Sequence, residues 1–272
     1  MDRNNPLSNI IRDGGMMNIF LNMGCIGDSL SSGEFEYDKY GEKGYWDFYE
    51  YSWGKQIERI TGIQVTNFSR GGLTAQGIYE LADKRNCSDK EDINHLFDAD
   101  HAKQGYIIAL GVNDINQIVR GDFYGGVMGN VETDICLEDY EQNAKTLVGY
   151  YAKIIQRLKT IQPDAKFFLV TMPDAPGMPK RAEFADMIHQ MAAKLTNCYV
   201  IDLYHDAPTY DGEFYDIYFD GHMNCMGYLM TAYFMMTYID WIIRHNPDDF
   251  RYVPFIGQPY KPYMGPPTDR IC

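Results

Sequence analysis

This chain is short of basic residues. Over 272 residues, 24 Lys and Arg stand against 38 Asp and Glu, a formal net charge of −14. Such a surface repels phosphate backbones, which argues against nucleic acid as a partner and disfavours anionic membranes for the same reason. Uncharged and cationic substrates stay open. Cysteine is sparse and scattered: Cys25, Cys87, Cys136, Cys198, Cys225 and Cys272 form no Cys-x-x-Cys pair and no zinc spacing. Three of them lie in apolar runs, where a free thiol behaves as a small hydrophobe. The pattern suits a reducing compartment and predicts no metal. No stretch is long and apolar enough for a membrane span. Met1 to Asn18 lacks the basic-then-apolar order of a secretion signal, so the expected location is cytoplasmic, with Met16 or Met17 as alternative starts. Neither Gly-x-x-x-x-Gly-Lys-Ser/Thr nor Gly-x-Gly-x-x-Gly occurs, so no nucleotide cradle is expected. The Gly-x-Ser-x-Gly elbow of one large hydrolase class is also missing.

What is present is an ordinary globular composition, 45% hydrophobic and 23% charged, with 22 Tyr and 15 Met on the high side. The length allows one large α/β domain or two small ones. Five apolar runs read as buried strands: residues 19–26, 64–68, 105–110, 166–171 and 198–203. Gly27 ends the first and Gly111 the third. Helical patterns alternate with them. Ser52 resembles an N-cap for a helix with Trp53, Ile57 and Ile60 on one face, ended by Gly62. Another helix is expected from Leu73 or Thr74. Residues 84–104 read as helix and loop, and residues 120–137 as a Gly-rich loop or insertion. From Glu138 to Ile161 a stripe of Tyr140, Ala144, Leu147, Tyr151, Ile154, Ile155 and Leu158 predicts an amphipathic helix that Pro163 terminates. Further helices are expected over 181–196 and Met226 to His245. The alternation predicts a parallel sheet with helices on both faces. The expected organisation is an N-terminal extension over 1–17, a domain over 18–247 and a surface-wrapping tail over 248–272. Residues 31–50, rich in Tyr, Phe, Trp, Glu, Asp and Gly, read as a lid or cleft wall beside Ser29, or as a plain surface loop.

Four short segments carry the chemistry: Gly27-Asp28-Ser29-Leu30, Asn67-Phe68-Ser69-Arg70-Gly71-Gly72, Gly111-Val112-Asn113-Asp114 and Asp220-Gly221-His222-Met223-Asn224. Acyl transfer from an ester needs an activated oxygen nucleophile, a base for its proton and donors aimed at the developing oxyanion. Ser29 follows a strand's carboxyl end, where ligands bind in open α/β sheets. A glycine after the second strand lets its backbone N–H approach a substrate closely. Asn113 adds a side-chain donor, and His222 a candidate base. His95, His101, His189, His205 and His245 match no such context and read as surface or packing residues.

The order of these segments resembles the SGNH (GDSL-type) hydrolases over about residues 18–245, with Gly227 and Tyr228 continuing the last block. The resemblance implies an α/β fold: a three-layer α/β/α sandwich of flavodoxin-like type around a parallel five-stranded sheet, using no metal and no cofactor. It implies Ser29 as nucleophile, His222 as base and then acid, and an oxyanion hole of the Ser29 and Gly72 N–H groups with the Asn113 amide. Aligning Asn67 and Thr74 with the family pattern favours Gly72 over Gly71. The family's acid usually stands three residues before the histidine, where this chain has Phe219. Asp220, two residues before, is the preferred acid. Asp216, Asp202 or a backbone carbonyl serving a Ser–His dyad are the alternatives. The implied partner is a small-molecule acyl ester, acetyl foremost, with acetylated carbohydrate favoured because the aromatics of 31–50 suit stacking on sugar rings. The competing readings are a thioesterase or lysophospholipase-type lipid hydrolase, and a ligand-binding protein that has lost turnover.

Overall fold

The computed structural model describes residues 4–39, 41–121 and 127–258. Their strands are β1 (Asn22–Gly27), β2 (Glu34–Lys39), β3 (Glu42–Asp47), β4 (Gln64–Ser69), β5 (Gly105–Ala109), β6 (Lys166–Val170), β7 (Cys198–Ile201) and the two-residue β8 (Phe219–Asp220) and β9 (His222–Met223). The helices are α1 (Ser29–Ser32), α2 (Trp53–Thr61), α3 (Ala75–Lys84), α4 (Glu91–Asn94), α5 (Val112–Arg120), α6 (Val131–Asp134), α7 (Leu147–Ile161), α8 (Arg181–Lys194), α9 (Leu203–Asp206), α10 (Gly212–Tyr218), α11 (Cys225–His245) and α12 (Pro247–Phe250).

Five strands form one parallel sheet in the order β4-β1-β5-β6-β7. The first sheet strand thus lies between the second and third, which is the flavodoxin-like order. Successive residues of a strand face opposite sides. Ile108, Phe167 and Leu169 therefore enter one core with residues of α3, α7 and α8. Ile107 and Phe168 enter the other with Trp53, Ile57 and the buried face of α11. The result is the expected three-layer α/β/α sandwich. No helix among the described residues is long and apolar enough to cross a membrane.

Most element boundaries fall within a residue or two of expectation. Helix α7 is the main departure. It starts at Leu147, not Glu138, because Thr146 caps it by accepting the Gly149 N–H at 3.1 Å. Upstream, Asn143 accepts the Cys136 N–H at 2.8 Å and donates to Gln156 Oε1 at 2.7 Å, holding the chain in a fold-back. Tyr140 and Ala144 therefore lie off the helix. The expected loop over 120–137 contains α6, and its residues 122–126 lie outside the described residues. Residues 31–50 are chiefly an antiparallel hairpin of β2 and β3. Within the expected N-terminal extension, the Met16 N–H donates to Asp240 Oδ1 at 2.7 Å and the Ile11 N–H to Thr237 Oγ1 at 3.1 Å, tying it to α11. In the expected tail, Phe250 stacks on Phe168 with ring centroids 6.2 Å apart. Residues 1–3 and 259–272, including Cys272, lie outside the described residues.

Candidate active site

Strand β1 delivers Ser29 to the carboxyl edge of the sheet. Gly27 makes the turn into α1 possible, since a Cβ there would lie 2.1 Å from Ser31 Oγ. Asp28 caps α1 by accepting the Leu30 N–H at 3.0 Å. Burial pushes the Asp28 carboxyl up to about 7. Ser29 is the first residue of α1, so its own N–H has no intrahelical acceptor.

The second and third segments are clamped together. Gly72 turns the chain after β4 with φ of 75°, a left-handed conformation that favours glycine. Asn113 Nδ2 donates to the Leu73 carbonyl at 3.1 Å. Both Asp114 carboxylate oxygens accept the Ala75 N–H, at 3.1 and 3.2 Å. These bonds hold the turn that carries Gly72 against the start of α5. Gly111 lets α5 begin this close to α8, because a Cβ there would lie 2.4 Å from the Phe184 ring. Burial pushes the Asp114 carboxyl up to about 7.

Ser29, Asn113 and His222 line one cavity of about 690 Å³. Its wall includes Tyr45 from the hairpin and Met172, Met178, Arg181 and Tyr215 from the far side. Gly72 sits in the clamped turn, outside the lining residues.

His222 stands on β9, one residue beyond the Gly221 turn that joins it to β8. Asn224, two residues on, caps α11 by accepting the Met226 and Gly227 N–H groups at 3.0 Å each. The next turn supplies Tyr228, whose hydroxyl donates to the Glu34 carbonyl at 2.6 Å and the Ser29 carbonyl at 3.3 Å. Asp220 is exposed, and the ion pairs of His222 are not with it. They are with Glu34, whose Oε1 lies 3.4 Å from Nε2, and with Glu36, whose Oε2 lies 3.6 Å from Nδ1. The Nδ1 atom is buried and has no hydrogen-bond partner. Tyr45 approaches the imidazole edge-on at 5.5 Å between centroids. Of the other expected acids, Asp216 is exposed on α10, and Asp202 is shared by His189 Nε2 at 2.6 Å and His205 Nδ1 at 2.8 Å. Glu34 and Glu36 are the residues that the motifs do not reveal. The signal they leave is the alternation Glu34-Phe35-Glu36-Tyr37, which places both carboxylates on one face of a strand.

Two groups among the described residues have the donors for a metal ion: His189, Asp202 and His205, and His95, Asp98 and His101. Neither contains a residue of the four segments. In the second group Asp98 is already paired with Arg85.

A Corynascus thermopiles (Myceliophthora fergusii) carbohydrate esterase family 2 enzyme with a carbohydrate binding domain is similar at 15% identity and TM-score 0.54, over 82% of this chain and 66% of that one. A family two carbohydrate esterase from Clostridium thermocellum in complex with cellohexaose is similar at 14% identity and TM-score 0.51, over 84% and 65%. At such identities the likeness is one of fold, and the chain spans about two thirds of the length of each. No curated protein matches the chain. The family model described as GDSL-like lipase/acylhydrolase matches residues 25–229, from the strand that presents Ser29 into the helix that follows His222, and the chain belongs to that family.

Proposed function

We propose that this protein is a serine esterase that cleaves a small acyl ester, acetyl foremost, through an acyl-Ser29 intermediate. The observation that carries the reading is the shared cavity, where Ser29, Asn113 and His222 meet in a space of about 690 Å³, a size suited to a small ligand. Ser29 Oγ attacks the ester carbonyl carbon while His222 takes its proton. The tetrahedral oxyanion is met by the Ser29 N–H and by Asn113 Nδ2, while the Gly72 N–H expected beside them belongs to a turn outside the cavity lining. One hydrogen of that amide is committed to the Leu73 carbonyl, which leaves the other for the oxyanion. Losing one such donor typically costs ~10²–10³ in turnover. His222 then protonates the departing alcohol. In the second half it activates the water that releases the acid and restores Ser29.

A carbohydrate as the alcohol is supported by the hairpin, where Tyr37, Tyr45, Trp46 and Phe48 are exposed and Tyr45 lines the cavity. Flat aromatic faces with a polar tip suit sugar rings. The cellohexaose complex of the Clostridium thermocellum esterase is consistent with this. A lipid substrate has one observation in its favour, an apolar groove of about 650 Å³ walled by Phe35, Trp46, Phe48 and Met223.

The test is hydrolysis of p-nitrophenyl acetate by the wild type and by Ser29→Ala. Wild-type activity that falls to background in the variant is the expected result, and unchanged turnover sinks the mechanism. A preference for octanoate over acetate esters moves the substrate to lipid. A wild type that neither hydrolyses these esters nor reacts with a fluorophosphonate is a ligand-binding protein.

A further inference from the structure

We propose that Glu36, on the hairpin that follows the nucleophile, is the carboxylate that positions His222 through Nδ1 and directs Nε2 to Ser29. This rests on the reading of Ser29 and His222 given above. A histidine base needs its second nitrogen held, so that the ring keeps one tautomer and one orientation and the imidazolium is stabilised as it forms. In this molecule that nitrogen is buried and lacks a hydrogen-bond partner. The carboxylate facing it at 3.6 Å is that of Glu36.

Three further features support the assignment. First, Gly221 makes the space: with φ of 72°, a Cβ there would lie 1.9 Å from Glu36 Oε2. The residue before His222 is thus moulded around the Glu36 carboxylate. Second, Lys43, diagonally across on β3, pairs with Glu36 Oε1 and leaves Oε2 for the imidazole. That ammonium foremost, with His222 adding to it, holds the Glu36 carboxyl below its usual range, in the ionised form the task requires. Third, β2 runs beside β9, so the pairing belongs to the hairpin's own packing.

Glu34 does not compete for the role. It lies on the Nε2 side, which must be open to the serine, and its carboxylate occupies the space of a missing Cβ at Gly71, 2.1 Å away. Burial pushes its carboxyl up. The expected acid, Asp220, faces the outer groove with Phe35 and Trp46.

The charged and titratable groups around His222 are Glu34 and Glu36 from β2, Lys43 and Tyr45 from β3, and Asp220 from β8. The experiment is an NMR titration of the His222 imidazole in the wild type, Glu36→Gln, Glu34→Gln and Asp220→Asn, with the pH profile of p-nitrophenyl acetate hydrolysis alongside. Removing a facing negative charge makes imidazolium harder to form, so in E36Q the ring is expected to titrate about one pH unit lower. The acid limb of kcat/KM should move the same way, and kcat should drop by up to ~10⁴ with KM little changed. Gly221→Ala, which displaces the carboxylate, should reproduce the shift in the titration. The assignment is overturned if E36Q leaves the titration and the acid limb in place, or if E34Q or D220N moves them further than E36Q does. Should Ser29→Ala retain activity, the esterase reading fails, while the imidazole titration still decides whether Glu36 is the partner of His222.

Discussion

Single side chains set how this protein responds to pH. Burial raises the carboxyls of Asp28 and Asp114 from 3.8 to about 7 each. A group whose pKa is higher in the folded than in the unfolded chain adds stability that is complete below the unfolded value. That stability is lost as pH rises through the folded one, because the unfolded chain sheds the proton first. Both aspartates therefore favour the fold at pH 4 and have stopped doing so above about pH 7. His189 acts in the same sense, since its hydrogen bond to Asp202 raises its pKa. Asp202 acts in the opposite sense. Its hydrogen bonds to His189 and His205 outweigh burial and hold it well below the usual carboxylate range, so its contribution fades only in strong acid. The melting temperature is accordingly expected to fall between pH 5 and pH 8, and Asp114→Asn to make that fall shallower. Thermal melts of both proteins at the two pH values check this. A wild type that melts higher at pH 8 contradicts it.

At the level of elements, helix caps place the chemistry. Asn224 accepts two N–H groups of α11 and also donates to the Ile217 carbonyl at 2.8 Å, so one side chain joins the helix, the β8–β9 turn and α10. Asn224→Ala is expected to cost about 1 kcal/mol of stability. It should also lower kcat, because His222 lies two residues upstream. Urea unfolding read beside ester hydrolysis separates the two losses. Where a cap or strand is marked locally, the sequence was a good guide: Ser52 caps α2 as expected, the five apolar runs hold the five sheet strands, and α3 begins at Ala75, one residue past the expected Thr74. The start of α7 was not legible. The stripe through Tyr140 and Ala144 fits a helix, yet the Asn143 side chain binds Cys136, Gly149 and Gln156 and outweighs it. The carboxylates beside His222 were hidden for a related reason. Glu34 and Glu36 reach the ring only because β2 packs on β9, almost two hundred positions away in the chain, and no local spacing records that.

For the molecule as a whole, the order β4-β1-β5-β6-β7 explains why residues as distant as Ser29, Asn113 and His222 meet. The connections leaving β1 and β5 run to opposite faces, through α2 and α7, and the gap above their strand ends becomes a crevice. The resemblance carried by the four segments was enough to foresee this architecture. It did not foresee the hairpin that walls the crevice, because a strand pair outside the central sheet obeys no such rule. That hairpin has a consequence beyond this chain. Gly71 and Gly221 are imprints of two carboxylates, each empty where a Glu34 or Glu36 oxygen rests. Across relatives that keep the hairpin, a side chain at either glycine and an acid at its matching position should exclude each other. The pairs 34 with 71 and 36 with 221 should therefore change together, and an alignment of such sequences in which they vary independently would refute it.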